Sequence, residues 1–111
     1  MLELKLENIM LYHIMASADW ELASRNSHYV PESFARDRFI HCCKSEQLDY
    51  VLDRYFRGVS GLVILCIDCD ALESEIKYED LNAEGKLFPH IYGPLNTAAV
   101  KRVLPLPPTA D

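Results

Sequence analysis

The chain has no long apolar run, no glycine fingerprint and little positive charge, and each absence excludes a class of protein. Its longest uninterrupted apolar stretch runs from Leu62 to Ile67, far short of the roughly 20 residues a membrane-crossing helix needs. Met1 to Asn8 mixes acidic, basic and apolar side chains, with no positive flank leading into a hydrophobic stretch. It does not read as a secretory signal, and a cytoplasmic location is expected. The four glycines, at positions 58, 61, 85 and 93, match neither the phosphate-loop nor the dinucleotide-fold spacing. Only 11 basic residues stand against 17 acidic ones, a net charge of −6, and they are scattered rather than clustered. Such a surface repels phosphate backbones, which disfavours nucleic acid as a partner but leaves a pocket for a single nucleotide open.

What is present is ordinary for one globular domain. Of 111 residues, 50% are hydrophobic and 25% charged, enough apolar surface for one core and too little chain for two. The four cysteines form a pair, Cys42 and Cys43, and a C-x-x-C, Cys66 and Cys69. Cys66 lies inside the apolar run, where a reduced cysteine acts as a small hydrophobe. No second C-x-x-C or histidine pair completes a zinc-ribbon spacing, so no metal is expected, and the compartment disfavours disulfides.

The periodicity predicts a βαβαβββ order. Ile9 to Met15 reads as a buried strand, and Ser17 as the cap of a short helix over Ala18 to Arg25. Asn26 to Asp37, with Pro31, lacks periodicity and is expected to be a long irregular loop. Arg38 to Cys43 reads as a second strand. Ser45 is expected to cap a helix whose Leu48, Val51, Leu52, Tyr55 and Phe56 share one face, with Gly58 as its stop. Gly61 to Asp68 is expected to be a central strand covered on both faces. Ser74 to Glu79 is a further strand, and Asn82 to Lys86 a turn. Leu87 to Leu95, with Pro89, Gly93 and Pro94, reads as an edge or bulged segment. Ala98 to Leu106 is the last strand, after which Pro107 and Pro108 end the fold. Long connections early and strand-to-strand connections late indicate α+β, with helices on one side of a mixed or antiparallel sheet.

Chemistry is concentrated in the histidines. His13, His41 and His90 each occupy a strand position where an apolar side chain is the norm. A histidine there must have its ring nitrogens satisfied, and a single one is more often structural than catalytic. Three in one small sheet are expected to share a pocket, because neighbouring strands lie only about 5 Å apart. Imidazoles there can hold hydroxyls or carbonyls, or act as general acid or base. A three-histidine metal site would need tetrahedral convergence, and no helical pair supports it. Trp20 can stack a flat ligand, although an aromatic on a short helix is more commonly core. Tyr29 and Ser33 lie in the irregular loop, Gln47 in the first turn of a helix, and Tyr92 on the face of His90; these complete the expected ligand-binding set. Asp68 and Asp70 are a candidate carboxylate pair but occupy a typical turn setting. Glu79 is the candidate lone carboxylate near the later strands.

Read in order, the segments Leu11-Tyr12-His13-Ile14, Trp20, Tyr29-Val30-Pro31-Glu32-Ser33, Phe39-Ile40-His41-Cys42 with Gln47, Leu62 to Asp68, and Phe88-Pro89-His90-Ile91-Tyr92-Gly93-Pro94-Leu95 with Ala99, Val100 and Val103 resemble the bacterial family known as domain of unknown function 952. The resemblance spans about Ile9 to Leu106. It implies a fold similar to that of ADP-ribosyltransferases, with a curved, split sheet and two main helices. It further implies a cleft for a small polar ligand such as NAD or another nucleotide. His13 matches the strand histidine that holds a ribose in those enzymes. His41 stands where they carry an aromatic or serine pattern, no glutamate near His90 matches their late one, and the paired arginines of the 2′-phosphotransferase branch are missing. The implied function is ligand binding in a histidine-lined cleft by a divergent ADP-ribosyl- or phosphotransferase-like enzyme, in which His13 and His90 orient a ribose or phosphate and His41 is acid or base. The rival is a non-catalytic ligand-binding or protein-interaction module.

Overall fold

A strand whose residues are apolar on both faces must be covered on both, and that requirement organises the molecule. The structure is a computed structural model that describes residues 9–106; the expectations for Met1 to Asn8 and for Pro107 and Pro108 fall outside it. In chain order its elements are β1 (Met10–Ala16), α1 (Ser17–Ala23), β2 (His28–Tyr29), α2 (Phe34–Asp37), β3 (Ile40–His41), α3 (Leu48–Tyr55), β4 (Leu62–Asp68), β5 (Glu75–Glu79), β6 (Phe88–Tyr92), β7 (Leu95–Asn96) and β8 (Val100–Pro105). All seven residues of β4 are buried. β4 is the middle strand of a sheet ordered β1-β4-β8. β1 runs antiparallel to it, from Met10 opposite Asp68 to Ala16 opposite Leu62. On one face of this sheet Ile14, Leu62 and Ile64 meet Leu48, Val51, Leu52 and Phe56 of the α3 segment. On the other, Leu11, Met15, Val63, Leu65 and Ile67 cluster with Ile40, Ile91 and Leu95.

Those last three residues belong to two smaller ladders, one ordered β3-β6-β5 and one joining β2 to β7. Every ladder among the described residues is antiparallel, so the fold is α+β and its sheets are antiparallel rather than mixed. A bridge between Tyr12 and Cys43, with N–O distances of 2.9 Å in both directions, ties β1 to the chain leaving β3.

Several local expectations change. The loop from Asn26 to Asp37 contains β2 and the four-residue α2. The second strand shrinks to Ile40–His41. Ser17 is inside its helix rather than capping it. Ser45 does not cap α3 either: Ser45–Gln47 is a 3-10 turn, closed when the Gln47 carbonyl oxygen Oε1 accepts the Lys44 N–H at 2.9 Å. β8 starts only at Val100, because Thr97–Ala99 forms a second 3-10 turn.

The largest correction is β6, which is a central strand, not an edge or bulged one, despite Pro89. Proline removes a donor from a ladder. Pro89 sits opposite Tyr78 on the β5 side, and its carbonyl accepts the Cys42 N–H at 3.1 Å just beyond the end of β3. The missing N–H therefore falls where the two-residue β3 has already stopped pairing. Gly93 ends β6 with φ at +156°. A Cβ there would lie 2.4 Å from Ser74 Oγ and 2.9 Å from Ser74 Cβ. Ser74 Oγ is itself held, donating to the Pro94 carbonyl at 2.7 Å. Gly93→Ala is accordingly expected to cost about 1–3 kcal/mol through overpacking, measured by urea unfolding. An unchanged midpoint would show that the turn relaxes freely.

Candidate functional site

The register of β3 against β6 places His41 directly opposite His90, and directly opposed residues share a face. Their ring centroids are 5.6 Å apart, edge to face. Phe39, two residues before His41, shares that face. Its ring stacks on His90 at 4.1 Å and lies 4.7 Å from His41 and 5.3 Å from Tyr92. The neighbouring β5 contributes Glu79, whose Oε1 accepts His90 Nδ1–H at 2.8 Å and the Tyr92 hydroxyl at 2.7 Å. Two donors on one oxygen stabilise the charged carboxylate, and the His90 bond first and the Tyr92 bond second hold Glu79 below its usual range. The same bond pushes the Tyr92 phenol up. Burial outweighs Glu79 at the ring itself and lowers His90.

His13 approaches from β1. Its Nδ1 lies 2.7 Å from the His41 carbonyl oxygen. A carbonyl only accepts, so Nδ1 carries the proton and Nε2 keeps a lone pair. Burial, the largest influence, lowers the His13 pKa, so the ring is neutral near pH 7. The Tyr29 ring stands 6.1 Å from it. His41 is the exposed member, with Nε2 2.8 Å from Asp37 Oδ2. Asp37 also receives Arg36 Nε at 2.8 Å and Nη2 at 3.1 Å, and the Arg36 hydrogen bonds, followed by that of His41, hold its carboxyl at about 2. Local backbone geometry allows this: Arg38 closes α2 in the left-handed region at φ 70°, its N–H bonded to the Phe34 carbonyl at 2.7 Å, so the chain reverses between Asp37 and β3.

A cleft of about 910 Å³ runs between β1, the α2 loop, β3 and the chain after β5. His13, His41, His90, Tyr29 and Ser33 all line it. Glu79, the candidate lone carboxylate, lines it as well, whereas Trp20, Gln47 and Tyr92 do not. Trp20 packs on the main core cluster. Gln47 is buried and uses both ends of its amide internally, accepting from Lys44 and donating Nε2–H to the Leu87 carbonyl at 3.0 Å. Tyr92 stands behind the site, where it positions Glu79. Asp68 accepts the Asp70 N–H at 2.9 Å in a turn, and neither residue lines the cleft. Cys42 and Cys43 do line it, but burial raises both thiols, Cys43 to about 12, so neither is a nucleophile at neutral pH. No group of three potential metal ligands occurs among the described residues.

Phe39, Asp37 and Arg36 went unrecognised in the sequence as site residues, although the Phe39-x-His41 spacing already puts an aromatic beside the imidazole. The Nε2 atoms of His13 and His90 have no partner among the described residues, and no buried side-chain polar atom there is left unpaired. Both atoms therefore meet solvent in the cleft that their rings line.

The lowered pKa values of His13 and His90 set a pH dependence. The unfolded rings take up protons near their ordinary 6.5, while the folded ones resist. The unfolded state then binds more protons, so stability is greatest above pH 6.5 and falls as the pH is lowered through that value. The melting temperature is expected to drop between about pH 7.5 and 5, and to drop less in His13→Asn. Equal slopes in both proteins would remove His13 from the account.

The profile of the family described as "Protein of unknown function (DUF952)" matches residues 14–103, and the chain belongs to that family. The crystal structure of protein CC0527 from Caulobacter crescentus is similar, with 31% identity, a TM-score of 0.80, and coverage of 92% of this chain and 90% of that one. The solution NMR structure of CC0527 agrees, with 31% identity, a TM-score of 0.74, and coverage of 87% and 84%. No curated protein matches the chain.

Proposed function

We propose that this DUF952 member binds a small polar ligand in the histidine-lined cleft, with His13 and His90 as fixed acceptors and His41 as the proton-exchanging group. The observation that carries this reading is the pair of neutral Nε2 lone pairs opening into one concavity, each fixed by a bond at the opposite ring nitrogen. Orienting a ring this way costs nothing further when ligand arrives, which is how preorganised sites gain affinity. His41 differs from the other two: it is exposed, and Asp37 Oδ2 accepts its Nε2–H, the arrangement that steadies an imidazole as acid or base. A cleft of about 910 Å³ lies at the upper end of the usual ligand-pocket range of roughly 300–1,000 Å³, which suits a nucleotide-sized molecule.

The resemblance to ADP-ribosyltransferases supports NAD, ADP-ribose and nucleosides as the first molecules to offer. In that reading the fold is of the ADP-ribosylation type and His13 takes a ribose hydroxyl. Glu79, presented from β5, supplies a carboxylate beside His90. The chemistry is then divergent, because His41 replaces the aromatic-or-serine pattern. Thermal unfolding with each ligand tests this. A true ligand at a hundredfold excess over its Kd stabilises by about 2.7 kcal/mol, and His13→Ala is expected to abolish the effect. No shift with any of them, in either protein, overturns the ligand-site reading and leaves the interaction-module alternative.

A further inference from the structure

The outer strand of a sheet leaves one row of backbone N–H and C=O groups without a ladder partner, and such an edge is a template for another strand. β8 closes one side of the first sheet and β5 one side of the β3-β6-β5 ladder. Their charges differ. β8 carries Lys101 and Arg102 side by side, has no acidic residue and ends in Pro105, so an antiparallel copy of itself meets like charge. β5 reads Glu75-Ile76-Lys77-Tyr78-Glu79, with both signs in alternation with apolar residues.

Pro89 fixes which backbone groups of β5 face outward. In an antiparallel ladder a residue's N–H and C=O point to the same neighbour, and consecutive residues alternate between neighbours. The Pro89 carbonyl turns to the β3 side, where it accepts the Cys42 N–H at 3.1 Å. Pro89 and, two residues on, Ile91 therefore make no ladder bond with Tyr78 and Ile76, the residues opposite them on β5. The N–H and C=O of Ile76 and Tyr78 thus point away from β6, and no turn, loop or side chain among the described residues takes them up. The Tyr78 side chain is 45% exposed at the same edge.

The charges then select a register. A two-fold axis at Lys77 would set Lys77 against its own copy and Glu75 against Glu79, like against like. An axis at Tyr78 would pair Lys77 with Glu79, whose Oε1 already accepts from His90 and Tyr92. An axis at Ile76 sets Glu75 against Lys77, and symmetry makes that pair twice. Glu75 is exposed and has no hydrogen bond or ion pair among the described residues. Lys77 has no ion pair there either; its Nζ lies 4.7 Å from the Tyr92 ring centre.

We propose that the β5 edge is a self-recognition surface, on which a second copy of this chain adds its own β5 antiparallel, with the two-fold axis at Ile76. The outward groups of Ile76 bond those of its copy, and those of Tyr78 meet Ser74 of the second copy. Glu75 and Lys77 flank the central hydrogen-bonded pair, so they fall at non-hydrogen-bonded positions, where facing Cα atoms are only about 4.5 Å apart and side chains interact most closely. The ladder is short, so the dimer is weak and concentration-dependent. The proposal does not depend on the cleft's having a ligand.

Sedimentation of the full chain over a range of concentrations at low salt tests it. The wild type is expected to pass from monomer to dimer as concentration rises, and to shift back towards monomer in high salt. Glu75→Lys and Lys77→Glu each place like charges at both pairs, and each is expected to weaken the dimer about tenfold or more. The double variant carrying both changes restores opposite charges and is expected to dimerise as the wild type does. Amide exchange of the wild type gives a readout free of any variant: the Ile76 and Tyr78 N–H groups are expected to exchange fast in dilute protein and slowly in concentrated protein. A wild type that stays monomeric at every concentration overturns the proposal. So does a dimer that both single variants keep at full strength, a folded double variant that does not recover, or exchange at Ile76 and Tyr78 that ignores concentration.

Discussion

Replacing Phe39 by alanine is expected to lower the unfolding free energy by about 3–5 kcal/mol and to loosen the histidine site at the same time. Phe39 is buried, with 6% exposure, and its ring touches three others, those of His41, His90 and Tyr92. Removing it leaves a cavity and forfeits aromatic contacts worth about 0.5–1.5 kcal/mol each beyond area burial. The functional consequence follows from the same contacts. His90 is fixed at one edge by Glu79 and on one face by Phe39, so without the ring its Nε2 is no longer held in one direction. Urea unfolding measures the first effect and the line widths of the imidazole signals the second. A loss below about 1 kcal/mol, with unchanged histidine spectra, would mean that the aromatic does not organise the site.

Ile91→Ala is expected to cost about 3–4 kcal/mol by a different route. Ile91 is fully buried at the centre of β6, opposite Ile40 on one side and Ile76 on the other. It faces the core cluster, whereas His90, one residue earlier, faces the cleft. Truncation therefore removes the contact that seats the β3-β6-β5 ladder on the first sheet, while leaving every hydrogen bond of the histidines intact. Ligand binding is expected to survive at temperatures where the variant is folded. Leu87→Ala, at an exposed position beside the same strand, serves as the reference and is expected to change stability by less than about 0.5 kcal/mol. Similar losses at both positions would contradict the layered core.

The α+β class and the strand histidines were legible in the sequence because they follow from local pattern. Leu62 to Ile67 is apolar on both faces, so it had to be central. His13, His41 and His90 interrupt apolar strands, which marks them whatever the topology. Pro89 misled because a proline reads as an edge signal, and only the partner strand's length decides otherwise: β3 ends at His41, so the donor that Pro89 lacks is never needed. Gln47 misled in a similar way. A polar residue at a helix start resembles a ligand group until its Lys44 and Leu87 partners are seen, and the second is 40 positions away. The carboxylates that orient the rings were harder to find. Glu79 reaches His90 across the β5–β6 register, and Asp37 reaches His41 only because Arg38 adopts a left-handed conformation. Neither contact leaves a mark in periodicity.

The most direct test is a histidine-detected titration of the intact protein with the NAD, ADP-ribose and nucleoside set. One saturable binding event that shifts His13 and His90 ring nitrogens together, with Nε2 the responsive atom in each, is the result required if both rings open on a shared concavity. Rings that respond separately, or stay silent with every compound, would contradict it.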